Sequence, residues 1–151
     1  MNATFYSIAP APAGLKMKRH DELDRQTSHD FDILLDAVLY EPHKVKDIVV
    51  ANRDCLRAIN YTGENVLHWL AVENHTEGVA LLSSLGSPIP EFALIHALQA
   101  GHTEMVILLL ELGATPNTET CKNSLNNPLW KLSDKTKRLM RSYLKQYGHE
   151  I

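Results

Sequence analysis

Apolar side chains recur along the chain with the spacing of short amphipathic helices. Leu67, Leu70 and Ala71 fall on one side of a predicted helix, because residues three and four apart share a helix face. Val79 and Leu82 mark a second helix shortly after the first. The pattern predicts a pair of short helices, an inner one followed by an outer one, joined by a tight turn.

This helix pair is repeated along the chain. A His-Thr-Glu element at 75–77 and again at 102–104 precedes an aliphatic run and a Leu-Gly pair. A step of 15 residues between apolar positions occurs four times: Leu34 to Val49, Leu67 to Leu82, Leu94 to Leu109 and Leu129 to Leu144. Helices of constant length joined by connections of variable length are typical of a stack of helix pairs. The spacing therefore predicts four units.

In the second and third units, a small or polar residue lies where the inner helix must reverse into the outer helix. Asn74 and Gly101 occupy these positions, and both residue types tolerate a left-handed backbone. Glu77 and Glu104 follow in the first turn of the outer helices, where a carboxylate complements the positive end of the helix. We interpret all four residues as structural.

The repeated unit resembles the ankyrin repeat. A glycine turn, a Thr-Pro-Leu-His-type helix start, a Gly-His-x-Glu junction and a closing Leu-Leu-x-x-Gly-Ala-x-x-Asn are similar to residues 63–77 and 101–117. The resemblance covers about residues 30–148 and is weakest in the first and last units. It implies an all-α ankyrin-repeat solenoid of stacked helix-turn-helix pairs with shortened loops, in which the terminal repeats are degenerate. The units are expected at about 29–59, 60–86, 87–117 and 118–151.

One connection departs from the ankyrin pattern. Only Ser87–Pro90 separates Gly86 from the next helix, which leaves the third unit six residues short of the 33-residue period. We expect a blunt turn fixed by proline here instead of a projecting β-hairpin.

The segment before the repeats has a different composition. Residues 1–28 contain the Ala-Pro-rich run Ala9–Gly14 and a mixed-charge stretch at 16–25, with little apolar periodicity. We interpret residues 1–28 as a flexible arm, with a loosely docked cap or a partner-binding tail as alternatives, and residues 29–151 as one ankyrin-repeat domain. The absence of an apolar run of about 18 residues and of a secretory signal favours a soluble cytoplasmic protein. Cys55 and Cys121 lie outside any CxxC pattern and are interpreted as reduced thiols.

The eight histidines require a test for metal or catalytic chemistry. His68, His75 and His102 occupy positions where the resemblance implies hydrogen bonds that tie turns and neighbouring repeats together. His96 has no cysteine, aspartate or second histidine three or four residues further on, so no ligand pair is predicted. No nucleophile motif, phosphate-binding glycine loop or paired acid and base is present. We therefore expect no metal, no cofactor and no enzymatic activity.

Charge is distributed unevenly along the chain. Residues 60–121 hold seven glutamates and no lysine or arginine, whereas residues 122–151 hold seven basic and two acidic side chains. A local excess of one sign is often only a solvated surface. Alternatively, the acidic middle steers a basic protein partner towards the stack. The sequence leaves both interpretations open.

The resemblance also implies where a partner would dock, since ankyrin stacks bind through their turn tips and the exposed side of the inner helices. Transferred to this sequence, that surface comprises Tyr40, Glu41, Tyr61, Thr62, Glu64, Val72, Glu73, Glu91, Gln99, Ala100, Asn126, Asp134 and Lys135. Trp69 and Trp130 are assigned to packing.

Three functional classes follow from these features. The first is a protein-binding module, in its sharpest form an immunity or inhibitor protein that neutralises a basic bacterial toxin. The second is a scaffold, a regulatory adaptor or a translocated effector. The third is nucleic-acid binding through the basic cluster at 131–145, which lacks a row of aromatic side chains for base stacking.

Overall fold

The computed structural model describes residues 27–151, so the predicted arm over residues 1–28 lies almost entirely outside the described residues. Within residues 27–151 the chain forms α-helices and short 3₁₀ turns and no β-strand. The α-helices are α1 (His29–Tyr40), α2 (Val45–Ala51), α3 (Val66–Val72), α4 (Thr76–Ser84), α5 (Glu91–Gln99), α6 (Thr103–Glu111), α7 (Thr118–Asn126) and α8 (Asp134–Gln146). The 3₁₀ turns span Pro42–Lys44, Arg53–Arg57 and Pro128–Trp130. The prediction of an all-α fold is confirmed.

The helices form two rows. In the inner row, α3 packs between α1 and α5, and α5 packs in turn against α7. In the outer row, α6 contacts α4 and α8. The first three pairs close as hairpins, α1 on α2, α3 on α4 and α5 on α6. One apolar core runs between the rows, and its largest fully buried side chains include Leu67, Leu94, Leu109, Met140 and Leu144.

Side chains at the helix starts fix where several helices begin. The side-chain oxygen of Asn65 accepts from the backbone N–H of His68 at 2.9 Å, and Asn117 accepts in the same way from Thr120 at 2.9 Å. Ser133 caps α8. These bonds satisfy backbone donors that the first turn of a helix leaves without a partner.

The reversals between inner and outer helices use a left-handed backbone. Asn74 has φ 60° and Gly101 has φ 79°, as the sequence predicts. In the last pair the chain turns through Lys131, whose φ of 51° the residue type does not predict. Few residues other than glycine and asparagine adopt this conformation without cost.

The short connection between the second and third pairs runs without a hairpin. Residues 87–90 are irregular, and α5 begins directly after Pro90. The side-chain amide of Asn65 donates to the carbonyl of Pro88 at 3.2 Å and holds this segment against the start of α3. An isolated antiparallel bridge between Ile59 and Asn65 lies in the preceding connection, between the first and second pairs. This longer connection contains a tight turn at 61–63.

Both cysteines are buried free thiols. Burial raises the pKa of Cys55 and raises that of Cys121 to about 11, so neither is a reactive thiolate at neutral pH. Among the described residues, none of the helices has the length and apolar character required to cross a bilayer.

Candidate functional site

A cleft opens where the turn before α3 meets the start of α5. Its volume is about 400 Å³. The lining residues are Thr62, Gly63, Glu64, His68, Pro90, Glu91, Phe92 and His96. The cleft therefore lies at the junction of the second and third helix pairs, which the short connection at 87–90 brings close together.

Asn60 organises the turn that forms one wall of the cleft. Its side-chain oxygen accepts from the backbone N–H of Thr62 at 3.0 Å, from the Thr62 hydroxyl at 2.7 Å and from the backbone N–H of Glu64 at 2.9 Å. Gly63 supplies the left-handed backbone of the turn, with φ 83°. The side-chain nitrogen of Asn60 also donates to Glu64 Oε1 at 3.4 Å. The turn thus directs the Glu64 carboxylate inward.

Glu64 is only 4% exposed, so its assignment to the partner-binding surface is wrong. The Asn60-centred turn folds its carboxylate towards His68, whose Nε2 lies 3.7 Å from Glu64 Oε2. Val72 is also misassigned, since it is 4% exposed. It lies in the last turn of α3, where its carbonyl receives a hydrogen bond from His102 of the next pair. Helical spacing alone did not reveal that this position is buried.

Two histidines from different helix pairs meet at the base of the cleft. His68 Nε2 lies 2.8 Å from His96 Nδ1, within hydrogen-bond distance, and the ring centroids are 5.0 Å apart. The Phe92 ring stacks on His96 with its centroid 6.0 Å away. One ligand atom from each of Glu64, His68 and His96 can be chosen so that all three lie within 4.8 Å of one another.

This arrangement corrects one premise of the sequence analysis. Spacing of three or four residues relates His96 only to positions on the same helix, whereas His68 is 28 residues earlier and on the adjacent inner helix. A second potential ligand therefore lies near His96, although spacing within α5 predicts none. A signal was available in the sequence, because stacking the repeats places successive inner helices side by side.

The two imidazoles have unusual pKa values. Burial lowers the pKa of His68 to about 4. Burial also lowers the pKa of His96 to about 4, helped by the neighbouring His68 and opposed by Glu64. Both rings are consequently neutral at pH 7, the state in which one ring donates a hydrogen bond to the other or a ring nitrogen binds a metal.

The other two histidines singled out in the sequence have structural contacts. His75 Nδ1 accepts from the backbone N–H of Gly78 at 2.9 Å and caps α4. His102 Nε2 donates to the carbonyl of Val72 at 2.9 Å and joins the third pair to the second. These contacts agree with the predicted ties within and between repeats.

The remaining residues of the predicted partner surface are accessible to different degrees. Exposed side chains are Tyr40, Glu41, Glu73, Glu91, Asn126, Asp134 and Lys135, and partly buried ones are Tyr61, Thr62, Gln99 and Ala100. Gln99 donates to the Ser124 hydroxyl at 3.0 Å, and Asn126 accepts from Arg141 at 2.9 Å. Trp69 is buried and Trp130 partly buried, which supports their assignment to packing.

Acidic charge covers several sides of the middle of the stack. Apart from Glu64, the glutamates between residues 60 and 121 are all exposed. Glu73 and Glu91 belong to the ends of inner helices, whereas Glu104 and Glu111 stand at the two ends of the outer helix α6. The acidic excess is thus accessible to a partner but is not confined to the inner row.

Residues 91–121 match the family model for the ankyrin repeat. The chain is 35% identical to a palmitoyltransferase, ZDHHC13, from Mus musculus over 80 residues, which are 48% of this chain and 13% of the relative. It is 26% identical to a putative palmitoyltransferase ZDHHC13 from Danio rerio over 125 residues, which are 78% of this chain and 19% of the relative. The chain spans less than a fifth of either relative. No solved structure gives a significant match.

The matched repeat and the helical architecture together establish an all-α fold of the ankyrin-repeat type. Ankyrin repeats generally mediate protein–protein interactions, which indicates a protein-interaction module. The match covers α5, α6 and the start of α7, so the predicted number of repeats and the degeneracy of the terminal ones stay predictions.

Proposed function

We propose that this chain is a non-enzymatic module that binds a basic protein through exposed residues of its inner helix row. The observation that carries the proposal is the exposure of Glu73 and Glu91 within a span, residues 60–121, that has no lysine or arginine. A surface of a single sign accelerates encounter with an oppositely charged partner and disfavours partners of like charge.

The sharper form of the proposal is an inhibitor of a basic toxin, as an immunity protein would be. Its support is the acidic charge alone, since a basic nuclease is one kind of protein that such a surface attracts. A scaffold or regulatory adaptor would use the same residues. Each of these roles suits a cytoplasmic protein, and we propose the cytoplasm as the location for that reason.

The basic helix α8 favours a nucleic acid less well than the acidic surface favours a protein. Lys135, Arg138 and Lys145 are exposed on α8, but Arg141 is engaged with Asn126. The acidic helix pairs next to α8 repel phosphate, and phosphate contacts dominate the affinity for nucleic acids. Weak binding of DNA or RNA at physiological salt is therefore expected.

The proposal is tested with two charge-reversal variants that match in helix position and in charge. The first carries Glu73→Lys and Glu91→Lys, at the end of α3 and the start of α5. The second carries Glu111→Lys and Glu104→Lys, at the end and the start of the outer helix α6. Each changes the net charge by about four units, so an effect of net charge alone acts equally on both.

A partner is first captured on the immobilised chain and identified by mass spectrometry, and its dissociation constant is then measured for all three proteins at low and physiological salt. The inner-row variant should bind at least about tenfold more weakly than the outer-row variant, and the wild-type affinity should fall as salt screens exposed charges. Equal affinities for the two variants would exclude the inner row as the binding surface. Affinity independent of salt would exclude a role for the acidic charge.

A further inference from the structure

The cleft between the second and third helix pairs brings together three side chains that sequence spacing keeps apart. Glu64 comes from the turn before α3, His68 from α3 and His96 from α5. Imidazole nitrogen and carboxylate oxygen are donors that zinc and similar divalent ions accept. We propose that Glu64, His68 and His96 form a binding site for a zinc-type divalent cation.

Two of the three distances between donor atoms are close to those that a tetrahedral zinc site requires, and all three lie within 4.8 Å. Two ligand atoms at about 2.0–2.1 Å from zinc are about 3.3 Å apart when the angle between them is tetrahedral. His68 Nε2 and His96 Nδ1 are 2.8 Å apart, and His68 Nε2 and Glu64 Oε2 are 3.7 Å apart. The two imidazoles would have to separate by about half an ångström. His96 is only partly buried, so its ring can move by this amount.

Neighbouring side chains hold these donors in place. Asn60 donates to Glu64 Oε1, which leaves Oε2 directed towards His68. Phe92 stacks on the His96 ring at an interplanar angle of 24°. Residues that orient metal ligands in this way contribute substantially to affinity. The proton shared between His68 Nε2 and His96 Nδ1 must move to the other nitrogen of its ring before both atoms can bind metal, and a neutral imidazole allows this by a change of tautomer.

The site offers three protein ligands and faces a cleft that leaves a fourth position open. Structural zinc sites are closed by four protein ligands, whereas sites with three keep a position for water or for a donor from a bound molecule. The cleft is lined by Thr62 and Glu91, which belong to the predicted partner surface. A cation here would lie beside that surface, and the inference stands whether or not the partner is basic.

The competing explanation is a purely structural hydrogen bond between two neutral imidazoles. That bond ties α3 to α5 without any metal, as His102 ties the third pair to Val72. The resemblance to the ankyrin repeat accounts for His68, which stands in the Thr-Pro-Leu-His-type position, but it does not account for His96. The two explanations differ in whether the chain takes up metal and whether the carboxylate matters.

The test is a zinc titration of the full chain after treatment with EDTA, followed by isothermal titration calorimetry. We expect one zinc ion per chain. Glu64→Gln keeps the size of the side chain and its acceptor for Asn60 but removes the charge, and His96→Ala removes one ligand. Each change should weaken zinc binding at least about tenfold. His43→Ala, at an exposed histidine on the Pro42–Lys44 turn, should leave the dissociation constant unchanged.

A cobalt titration provides a second readout, because Co²⁺ bound by nitrogen and oxygen ligands in a tetrahedral site gives visible absorption that the Glu64→Gln variant should lose. The proposal is overturned if the wild-type chain takes up no zinc saturably. It is equally overturned if Glu64→Gln binds zinc as tightly as the wild type, and this comparison holds even where His96→Ala fails to fold.

Discussion

The junction of the second and third helix pairs and the carboxyl-terminal end of the stack are built from the same kinds of helix but held together differently. At the middle junction, His68 bonds to His96, His102 bonds to the Val72 carbonyl, and all these groups are buried or partly buried. At the end, Met140 and Leu144 of α8 are fully buried, the hydrogen bond from Arg141 to Asn126 is exposed, and one partly buried hydrogen bond joins Thr118 to His149.

The two regions differ in how many faces of the unit are covered by neighbouring units. A middle unit is covered on both faces, so polar groups at its junctions lose water and must bond to one another. The last unit has one face towards solvent, so part of its polar bonding stays in contact with water and apolar burial carries most of its attachment. Buried polar bonds specify how two units are oriented, whereas apolar contacts mainly stabilise them.

The largest expected effect on stability comes from truncating one buried leucine at the middle junction and one at the carboxyl-terminal end. Leu94 of α5 and Leu144 of α8 are both fully buried. Leu94→Ala should lower the free energy of unfolding by about 4 kcal/mol, because a cavity between two neighbouring units cannot collapse. Leu144→Ala should cost about 2–3 kcal/mol, because the terminal helix can relax into the space. Urea denaturation followed by circular dichroism measures both.

Equal losses for the two leucine variants would contradict the idea that the terminal pair relaxes more readily. The slope of the transition is the control. A lower slope for Leu144→Ala alone would show that α8 detaches before the rest unfolds, which also distinguishes the two regions.

The middle junction should also make stability depend on pH. The pKa of His68 and that of His96 are each about 4 in the folded chain and about 6.5 when unfolded. Between these values the unfolded chain binds more protons, so the stability from the neutral rings is complete above about pH 6.5 and is lost as the pH falls towards 4. For one ring, a shift of the pKa from about 6.5 to about 4 amounts to about 3 kcal/mol at pH 4, so the two rings together should cost at least about this much when the measurement is made in EDTA.

A matched variant separates this effect from the titration of carboxylates elsewhere. His96→Asn removes one titrating ring and retains a polar side chain beside His68. Its free energy of unfolding should change less than that of the wild type between pH 7.5 and 4.5. Parallel pH profiles for the two proteins would show that the imidazole pair does not set the acid sensitivity.

Much of the fold was predictable because each unit carries its own signals. The 15-residue steps and the reversals at Asn74 and Gly101 depend on local backbone preferences and helix periodicity. The site was not predictable in this way. The burial of Glu64 depends on hydrogen bonds to Asn60, and the partner of His96 comes from another unit. Such contacts depend on how the repeats stack, which spacing within one helix does not report.

The smallest expected effect compares the turn at Asn74 in the middle with the turn at Lys131 at the end, where both residues have positive φ. A left-handed backbone costs an ordinary side chain about 1–2 kcal/mol, and asparagine less, since its short polar side chain tolerates it. Replacement by glycine removes this strain. It also raises the conformational entropy of the unfolded chain, which lowers stability by about 0.5–1 kcal/mol. Lys131→Gly should therefore raise the free energy of unfolding by about 0.5 kcal/mol, whereas Asn74→Gly should change it by less than about 0.3 kcal/mol.

Lys131→Ala is the control, because alanine keeps the strained backbone and should bring no gain. The stability of the three variants is measured by thermal melting. If Lys131→Ala stabilises the chain as much as Lys131→Gly does, the gain comes from removing the lysine charge beside the basic helix α8. The backbone of the terminal turn would then not be its cause.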